Sequence, residues 1–342
     1  MNRETWTEEK LNELLTTPSD ALVEDMKKIQ GDIMILGAGG KMGPTLCVLA
    51  KNAAKKAGVD KRIIAVSRGS DKIATQLMLD NGIEVIAADL LDKEKLYALP
   101  DVENVIYMAG LKFGTNGNEW KTWAMNATLP AFVADKFKKS NIVVFSTGNI
   151  YPITKLSEGG CREVDPVGPN GEYGMSCLAR ERAFEYAANT FGTKVFTYRL
   201  SFAVDLRYGV LFDVANKIMK GEPISLSTPC FNFIWQGSAN EVAIRGLLHA
   251  EAPAKVMNVT GPETVSIKKA AEELAAYLGK EAIFENEPGD DAYQIDAGLA
   301  IETFGYPSVN AKTLIRWQAE WLLDGGRTLD KPTHFEERQG KY

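Results

Sequence analysis

The sequence predicts an α/β protein built on a doubly wound parallel sheet, followed by a smaller, mostly helical part. Three observations carry this. Short runs rich in β-branched and aromatic residues, at 33–36, 63–66, 85–88, 105–108, 142–145 and 195–198, alternate with longer helical stretches. The runs are apolar at nearly every position, as strands covered on both faces must be. A glycine-rich turn follows the first run directly, where a βα unit passes from strand to helix. Right-handed crossovers then wind the sheet in both directions.

Residues 1–30 read as a helical extension. Thr7 can cap a first helix whose opening turn holds Glu8 and Glu9 and whose Leu11, Leu14 and Leu15 share a face. Ser19 and Asp20 can start a second helix, with Leu22, Met26 and Ile29 on one side. Such a pair reads best as a packing arm. The sheet unit spans 31–205, with helices over 42–57, 120–139 and 173–190. Residues 206–342 hold helices over 211–220, 239–250, 266–279 and 311–324, separated by turns such as Gly221-Glu222-Pro223. A strand near 256–260 is expected to return to the main sheet, and this part is expected to bind substrate. Trp120, Trp123, Trp317 and Trp321 sit at helical spacing and read as core. His249 near a helix end is explained by the helix dipole.

Composition removes several function classes. The 342 residues are 45% hydrophobic, enough for one large or two fused globular units. The net charge of −6 and the absence of a basic block give no electrostatic case for nucleic acid or an anionic membrane. Four scattered cysteines without a CxxC pair form neither a disulfide framework nor a zinc site. Two histidines, His249 and His334, exclude a multi-histidine metal site and leave little room for a Ser-His-Asp arrangement, so no metal is expected. No apolar run reaches the ~20 residues needed to span a bilayer. The polar N-terminal stretch lacks an apolar h-region, so a cytoplasmic protein is expected.

The turn reads Gly37-Ala38-Gly39-Gly40-Lys41-Met42-Gly43. It fits G-x-x-G-x-x-G; the common dinucleotide pattern fails at Met42, and the nucleoside-triphosphate loop fails at Ile35 and Met42. A tight turn that lets backbone approach a pyrophosphate at a helix N-terminus needs such glycines. Pro44 suits the first helical turn and Gly58 its C-terminal end. The second strand ends Val66-Ser67-Arg68, with no carboxylate until Asp71. A basic residue there can accept a 2′-phosphate, which leans the cofactor to NADP over NAD; Arg68 as a plain surface charge is the competing reading.

Together these residues resemble the extended short-chain dehydrogenase/reductases, the NAD(P)-dependent epimerase/dehydratase family, with a Rossmann sheet. Asp89 and Leu90 after the third strand resemble that family's adenine-contacting segment. Met108-Ala109-Gly110-Leu111-Lys112 is similar to the segment of sugar epimerases whose lysine touches the cofactor, and Asn126 matches an asparagine in the next helix. Phe145-Ser146-Thr147-Gly148-Asn149-Ile150-Tyr151 resembles the fifth-strand motif that supplies the catalytic Ser or Thr, here Thr147. Tyr173-Gly174-Met175-Ser176 resembles the start of the Tyr-x-x-x-Lys helix, and Asn258-Val259-Thr260-Gly261 the late strand. The resemblance implies hydride transfer, with the tyrosine as acid/base and the hydroxyl orienting the substrate oxygen. Its lysine lowers the tyrosine pKa and holds the nicotinamide ribose.

Cys177 stands at the lysine position. Three readings follow. Another cation can substitute, Lys112 from the fourth-strand loop or Arg180 on the same helical face as Tyr173. Cys177 can itself react, if a neighbouring cation lowers its pKa. Or Cys177 is a packing residue in a dinucleotide-binding sensor without turnover. The first is preferred and reactive Cys177 is least favoured. The nucleotide-sugar pattern is also altered: Arg199-Leu200-Ser201-Phe202 puts Phe202 where a substrate-binding amide belongs. Phe231-Asn232-Phe233 lacks the arginine that would clamp a diphosphate, and Arg207 is open to either a compensating or a structural role. The expected substrate is therefore a free sugar or sugar acid, to be oxidised, reduced or epimerised. The resemblance also implies a homodimer, with Leu178, Ala179, Phe184 and Ala187 of the 173–190 helix as the pairing face.

Overall fold

In the computed structural model, which describes residues 5–329 and 331–342, seven parallel strands make the main sheet. In chain order they are β1 (Ile33–Leu36), β2 (Ile63–Ser67), β3 (Glu84–Ala87), β4 (Asn104–Tyr107), β5 (Asn141–Thr147), β6 (Lys194–Leu200) and β7 (Lys255–Val259). Across the sheet the order is β7-β6-β5-β4-β1-β2-β3. The order reverses between β1 and β4, so the crevice beyond their C-terminal ends is the natural ligand position. β1 and β4 are buried at every residue, as strands covered on both faces should be. The late strand returns to the sheet as expected and pairs in parallel with β6.

The arm forms α1 (Glu8–Thr16), capped by Thr7, and α2 (Asp20–Lys28), capped by Ser19. It joins two cores. Leu22, Met26 and Ile29 pack under the sheet, while Trp6, Leu11 and Leu15 enter a second core with residues from beyond 204. Leu14 departs from its expected face and is exposed, because the buried contacts are made by Leu11 and Leu15. Along the sheet follow α3 (Gly43–Ala57), α4 (Lys72–Asp80) and α5 (Lys93–Tyr97). The 120–139 helix is not continuous. α6 (Glu119–Trp123) passes through a π segment (Ala124–Thr128) into α7 (Leu129–Lys136) and stops at Phe137. A π turn inside a helix often marks a functional position, and this one carries Asn126.

α8 (Gly171–Phe191) is the helix of Tyr173. Phe184 and Ala187 are fully buried against the sheet in the same core as Tyr107 and Leu129. They are therefore unavailable as a pairing face, which corrects the expectation from sequence. The second core gathers α9 (Val210–Lys220), α11 (Ile267–Leu278) and α13 (Ala311–Leu323). α10 (Gln236–Arg245) and α12 (Gly298–Phe304) pack beside the sheet. Trp321 is buried and Trp317 packs on Trp6, but Trp120 is 72% exposed and is no core residue. His249 lies edge-on to Phe304, so ring packing accounts for it better than the dipole alone. No described helix is long and apolar enough to cross a membrane.

Candidate active site

A cleft of about 1010 Å³ opens at the C-terminal ends of the strands, between the sheet and the helical part. Its floor is the glycine turn. Gly37 has φ +90°, and a Cβ there would lie 2.6 Å from the Ala109 amide nitrogen. Only glycine satisfies both the left-handed backbone and that approach. A Cβ on Gly43 would collide with the Ala38 carbonyl. Gly40 differs: its Cβ would meet nothing closer than the Gly37 oxygen at 3.6 Å, so the fold itself does not demand glycine there. The turn leads into α3, with Pro44 at its start, and the first-turn N–H groups of such a helix are unpaired donors suited to phosphate. Glycines that the fold requires, beside one that it does not, fit a dinucleotide lying along this turn.

Gly37, Gly39, Gly40, Lys41, Met42, Gly110, Lys112, Thr147 and Tyr173 all line the cleft. The remaining candidates do not. Gly43 and Ala109 are packing partners of the turn, Ser67 sits behind Gly39, and Leu90 is core. Arg68 and Asp89 are exposed at the strand ends, where Asp89 accepts from the Leu91 amide. Asp71, which caps α4, borders the cleft on that side.

At the reacting end, the Tyr173 phenol lies beside Thr147 and Cys177, close enough for both to influence its ionisation; the Thr147 hydroxyl itself donates to Asn149 Oδ1 at 3.1 Å. Desolvation, reinforced by Cys177, pushes the phenol well above its ordinary pKa; Arg180 and Thr147 pull the other way. Cys177 is buried completely, and burial raises its thiol as well, so it is a neutral packing group. This speaks against the reactive-cysteine reading, since a nucleophile needs an exposed, lowered thiol.

Arg180 is one helical turn beyond Cys177 and only 5% exposed. Its Nη1 donates to the Phe145 carbonyl at 2.7 Å and its Nη2 to Asn126 Oδ1 at 2.8 Å, while Nε has no partner. No ion pair to Arg180 exists among the described residues. Gly110 has no room for a Cβ because Nη2 would lie 2.5 Å from it. Asn126 is held in turn by both backbone groups of Leu111, each at 2.8 Å, and by Ser176 at 3.1 Å. A permanently charged guanidinium thus sits buried 5.8 Å from the Tyr107 ring centre, bonded only to neutral acceptors, and its charge acts on Tyr173.

Lys112 approaches Tyr173 from the cleft side, with Nζ 5.5 Å from the ring centre. Burial pushes its pKa down to about 8. Lys41, over the Tyr208 ring at 3.2 Å, falls to about 7 through burial and the charges of Lys112 and Lys331, opposed by Asp213. Among the described residues none of these three lysines forms an ion pair. Arg207 is instead committed: it grips Asp205 through three nitrogen contacts and reaches Glu8 at 3.1 Å. It borders the cleft with its guanidinium held by these carboxylates. Phe231 and Phe233 are buried in the second core, so that segment presents no cation to the cleft.

A family model described as the NAD dependent epimerase/dehydratase family matches residues 33–257. The chain belongs to this family of NAD-dependent enzymes. The fold agrees. UDP-glucuronic acid 4-epimerase from Bacillus cereus, solved in complex with NAD, superposes with TM-score 0.71 at 18% identity, over 85% of this chain and 98% of the other. UDP-N-acetylglucosamine 4-epimerase from Bacillus cereus gives 0.67 at 19%, over 87% and 100%. UDP-glucose 4-epimerase from Thermus thermophilus, complexed with NAD, gives 0.67 at 16%, over 84% and 98%. No curated protein sequence matches the chain.

Several cleft residues were not singled out from sequence. Tyr208, Tyr293 and the segment that carries Lys331, Thr333, His334 and Tyr342 all border it or the residues that line it. The available signal was aromatic and basic residues persisting past the last helix, where a polar tail would not need them.

Proposed function

We propose that the protein is an NAD(P)-dependent oxidoreductase or epimerase that acts on a hydroxyl or carbonyl of a small carbohydrate, a free sugar or sugar acid. The observation that carries this is the pairing of Tyr173 and Thr147 at the end of a cleft floored by the glycine turn. The turn residues Gly37, Gly39, Gly40, Lys41 and Met42 would hold the pyrophosphate, and Gly110 and Lys112 the nicotinamide end. The bound dinucleotide supplies hydride exchange. Thr147 orients the substrate oxygen, and Tyr173 donates or takes its proton. Because burial keeps the phenol protonated at neutral pH, proton donation to a developing alkoxide is the easier direction.

Arg180 takes the electrostatic task of the missing lysine, and Lys112 holds the cofactor. A guanidinium keeps its charge at every working pH, whereas Lys112 loses its proton near pH 8. Lys112 as the replacement cation is the alternative. The solved neighbours act on nucleotide sugars by their names. A smaller substrate is supported here by Phe202, by the buried Phe231 and Phe233, and by the commitment of Arg207 to Asp205 and Glu8. NADP is supported by exposed Arg68 and by Asp71 being occupied as a cap. A homodimer is retained on the exposed Tyr186 and Phe191 of α8. The deciding experiment is dinucleotide titration followed by a sugar and sugar-acid panel read both at the nicotinamide absorbance, for oxidation or reduction, and by chromatography of the sugar, for epimerisation. Binding without any turnover would favour the second reading, a dinucleotide sensor, which Cys177 at the lysine position motivates.

A further inference from the structure

Residues 331–334 line the cleft, and the chain runs on from them to Tyr342 behind the lining residues Asn149 and Tyr173, tied down on both sides. Toward the helical part, the Thr333 amide and hydroxyl donate to Asp213 at 2.7 and 2.5 Å, and Lys217 pairs with Glu336 at 2.5 Å. Arg338 pairs with Asp291 and donates to the Ser227 carbonyl at 3.0 Å. Toward the sheet, Asn170 donates to the Arg338 carbonyl and the Thr115 amide to the Tyr342 carbonyl, each at 3.0 Å. Gly171 and Gly340, at φ +73° and +74°, pass so closely that a Cβ on either would strike backbone of the other segment. The strap is therefore fixed in place by specific contacts.

Its last residue enters the reacting end. The Tyr342 ring stands edge-on to Tyr173 with centroids 5.4 Å apart, and Lys112 Nζ lies 4.4 Å from its centre. Asn149 Nδ2 donates to the Tyr342 hydroxyl at 2.8 Å, and Asn149 Oδ1 accepts from Thr147 at 3.1 Å. Thr147, Asn149 and Tyr342 thus form one hydrogen-bonded row beside Tyr173. The amide uses a lone pair of the Tyr342 oxygen and leaves its proton free to donate. Burial raises this phenol too, so the proton stays on.

We propose that Tyr342 is a specificity-determining residue: its hydroxyl donates to an oxygen of one sugar ring, while its ring and the strap exclude a substituent as large as a nucleoside diphosphate. This rests on Tyr173 being the acid/base for a carbohydrate. The Bacillus cereus UDP-glucuronic acid 4-epimerase is matched over 98% of its length by only 85% of this chain, so this chain carries segments beyond the shared fold. A wall built from the strap would account for a narrower substrate than the nucleotide sugars in the names of the solved neighbours. A buried donor left unpaired by the wrong ligand discriminates strongly.

The test compares wild type, Tyr342→Phe and Tyr342→Ala, each loaded with dinucleotide, on free sugars, sugar acids, their methyl glycosides and UDP-linked forms. Wild type should oxidise single rings only. Tyr342→Phe should raise KM about tenfold with kcat changed less than threefold. Tyr342→Ala should raise kcat/KM for the glycosides at least tenfold relative to the free sugar. An unchanged size ranking in Tyr342→Ala overturns the proposal. Loss of all turnover in wild type, with dinucleotide still bound, is failure of the underlying reading instead. The strap is then judged by calorimetry with UDP-glucose: binding to Tyr342→Ala but not to wild type is expected, and equal behaviour of the two overturns it.

Discussion

Arg180→Met is the most informative single perturbation. It removes the guanidinium while keeping a long side chain in the same tunnel between Gly110, Asn126 and Phe145. Two acceptors lose their donor, at about 1–3 kcal/mol each. Offsetting this, a buried charge with no carboxylate partner no longer has to be desolvated, a gain of several kcal/mol. Folding stability should therefore move by no more than about 3 kcal/mol, and the variant should fold. The catalytic effect is different in kind. Residues seven apart on a helix are separated by roughly 10 Å of rise. At an effective dielectric of ~20, a unit charge at that distance contributes about 1.7 kcal/mol to the Tyr173 phenolate. That is about one pKa unit. The kcat of Arg180→Met should fall about tenfold, and the pH limb assigned to Tyr173 should move up by about one unit, with dinucleotide affinity preserved. Arg180→Lys should recover part of both. Under the alternative, Lys112→Met would carry the loss, and wild-type activity would decline as pH rises through about 8 because the ammonium is lost there. A folded Arg180→Met enzyme with wild-type kcat and an unmoved pH limb refutes the assignment.

Three further outcomes are expected. Gly40→Val should leave the thermal melt unchanged, because its Cβ meets only ordinary contacts, yet weaken dinucleotide binding at least tenfold; unchanged affinity removes the basis for the pyrophosphate site. NADP should bind more tightly than NAD, and Arg68→Ala should erase the difference; tighter NAD binding that ignores the substitution makes Arg68 a surface charge. Lys41 and Lys112 have pKa values lowered to about 7 and about 8, so the unfolded chain binds more protons than the folded one from there up to the ordinary lysine value. Stability should rise with pH across that window, and a bound anion that lifts these values should make dinucleotide binding take up protons near pH 8. Calorimetry in buffers of different ionisation enthalpy reads this directly; no proton uptake would place the pyrophosphate away from both lysines.

Much of this molecule is legible in its sequence because the sheet is built from continuous apolar runs, and each run is followed by its own helix. The motif residues Gly37, Gly40, Thr147 and Tyr173 converge because they lie at the C-terminal ends of strands or the N-terminal turn of a helix, positions that the strand order alone brings together. What escaped sequence reasoning depends on long-range placement. The π segment at Asn126 has no periodicity signal of its own. Arg180 shares the Tyr173 face on paper, but its bonds to Asn126 and the Phe145 carbonyl exist only once α8 packs on β5. Phe184 and Ala187 read as a free face because their sequence spacing does not say which side of the helix meets the sheet. Tyr342 is 193 residues from Asn149, and no local pattern links them.

The central claim is that Tyr173 moves a proton for dinucleotide-linked chemistry on a small carbohydrate. Its most direct test is the rate of sugar or sugar-acid conversion at saturation, read as nicotinamide absorbance change and as epimer formed, for wild type and Tyr173→Phe at matched dinucleotide occupancy. The account predicts turnover by wild type and a loss of at least a hundredfold in the variant, the scale of losing one acid/base group. Equal rates in the two proteins, or tight dinucleotide binding with no turnover on any sugar, would contradict it.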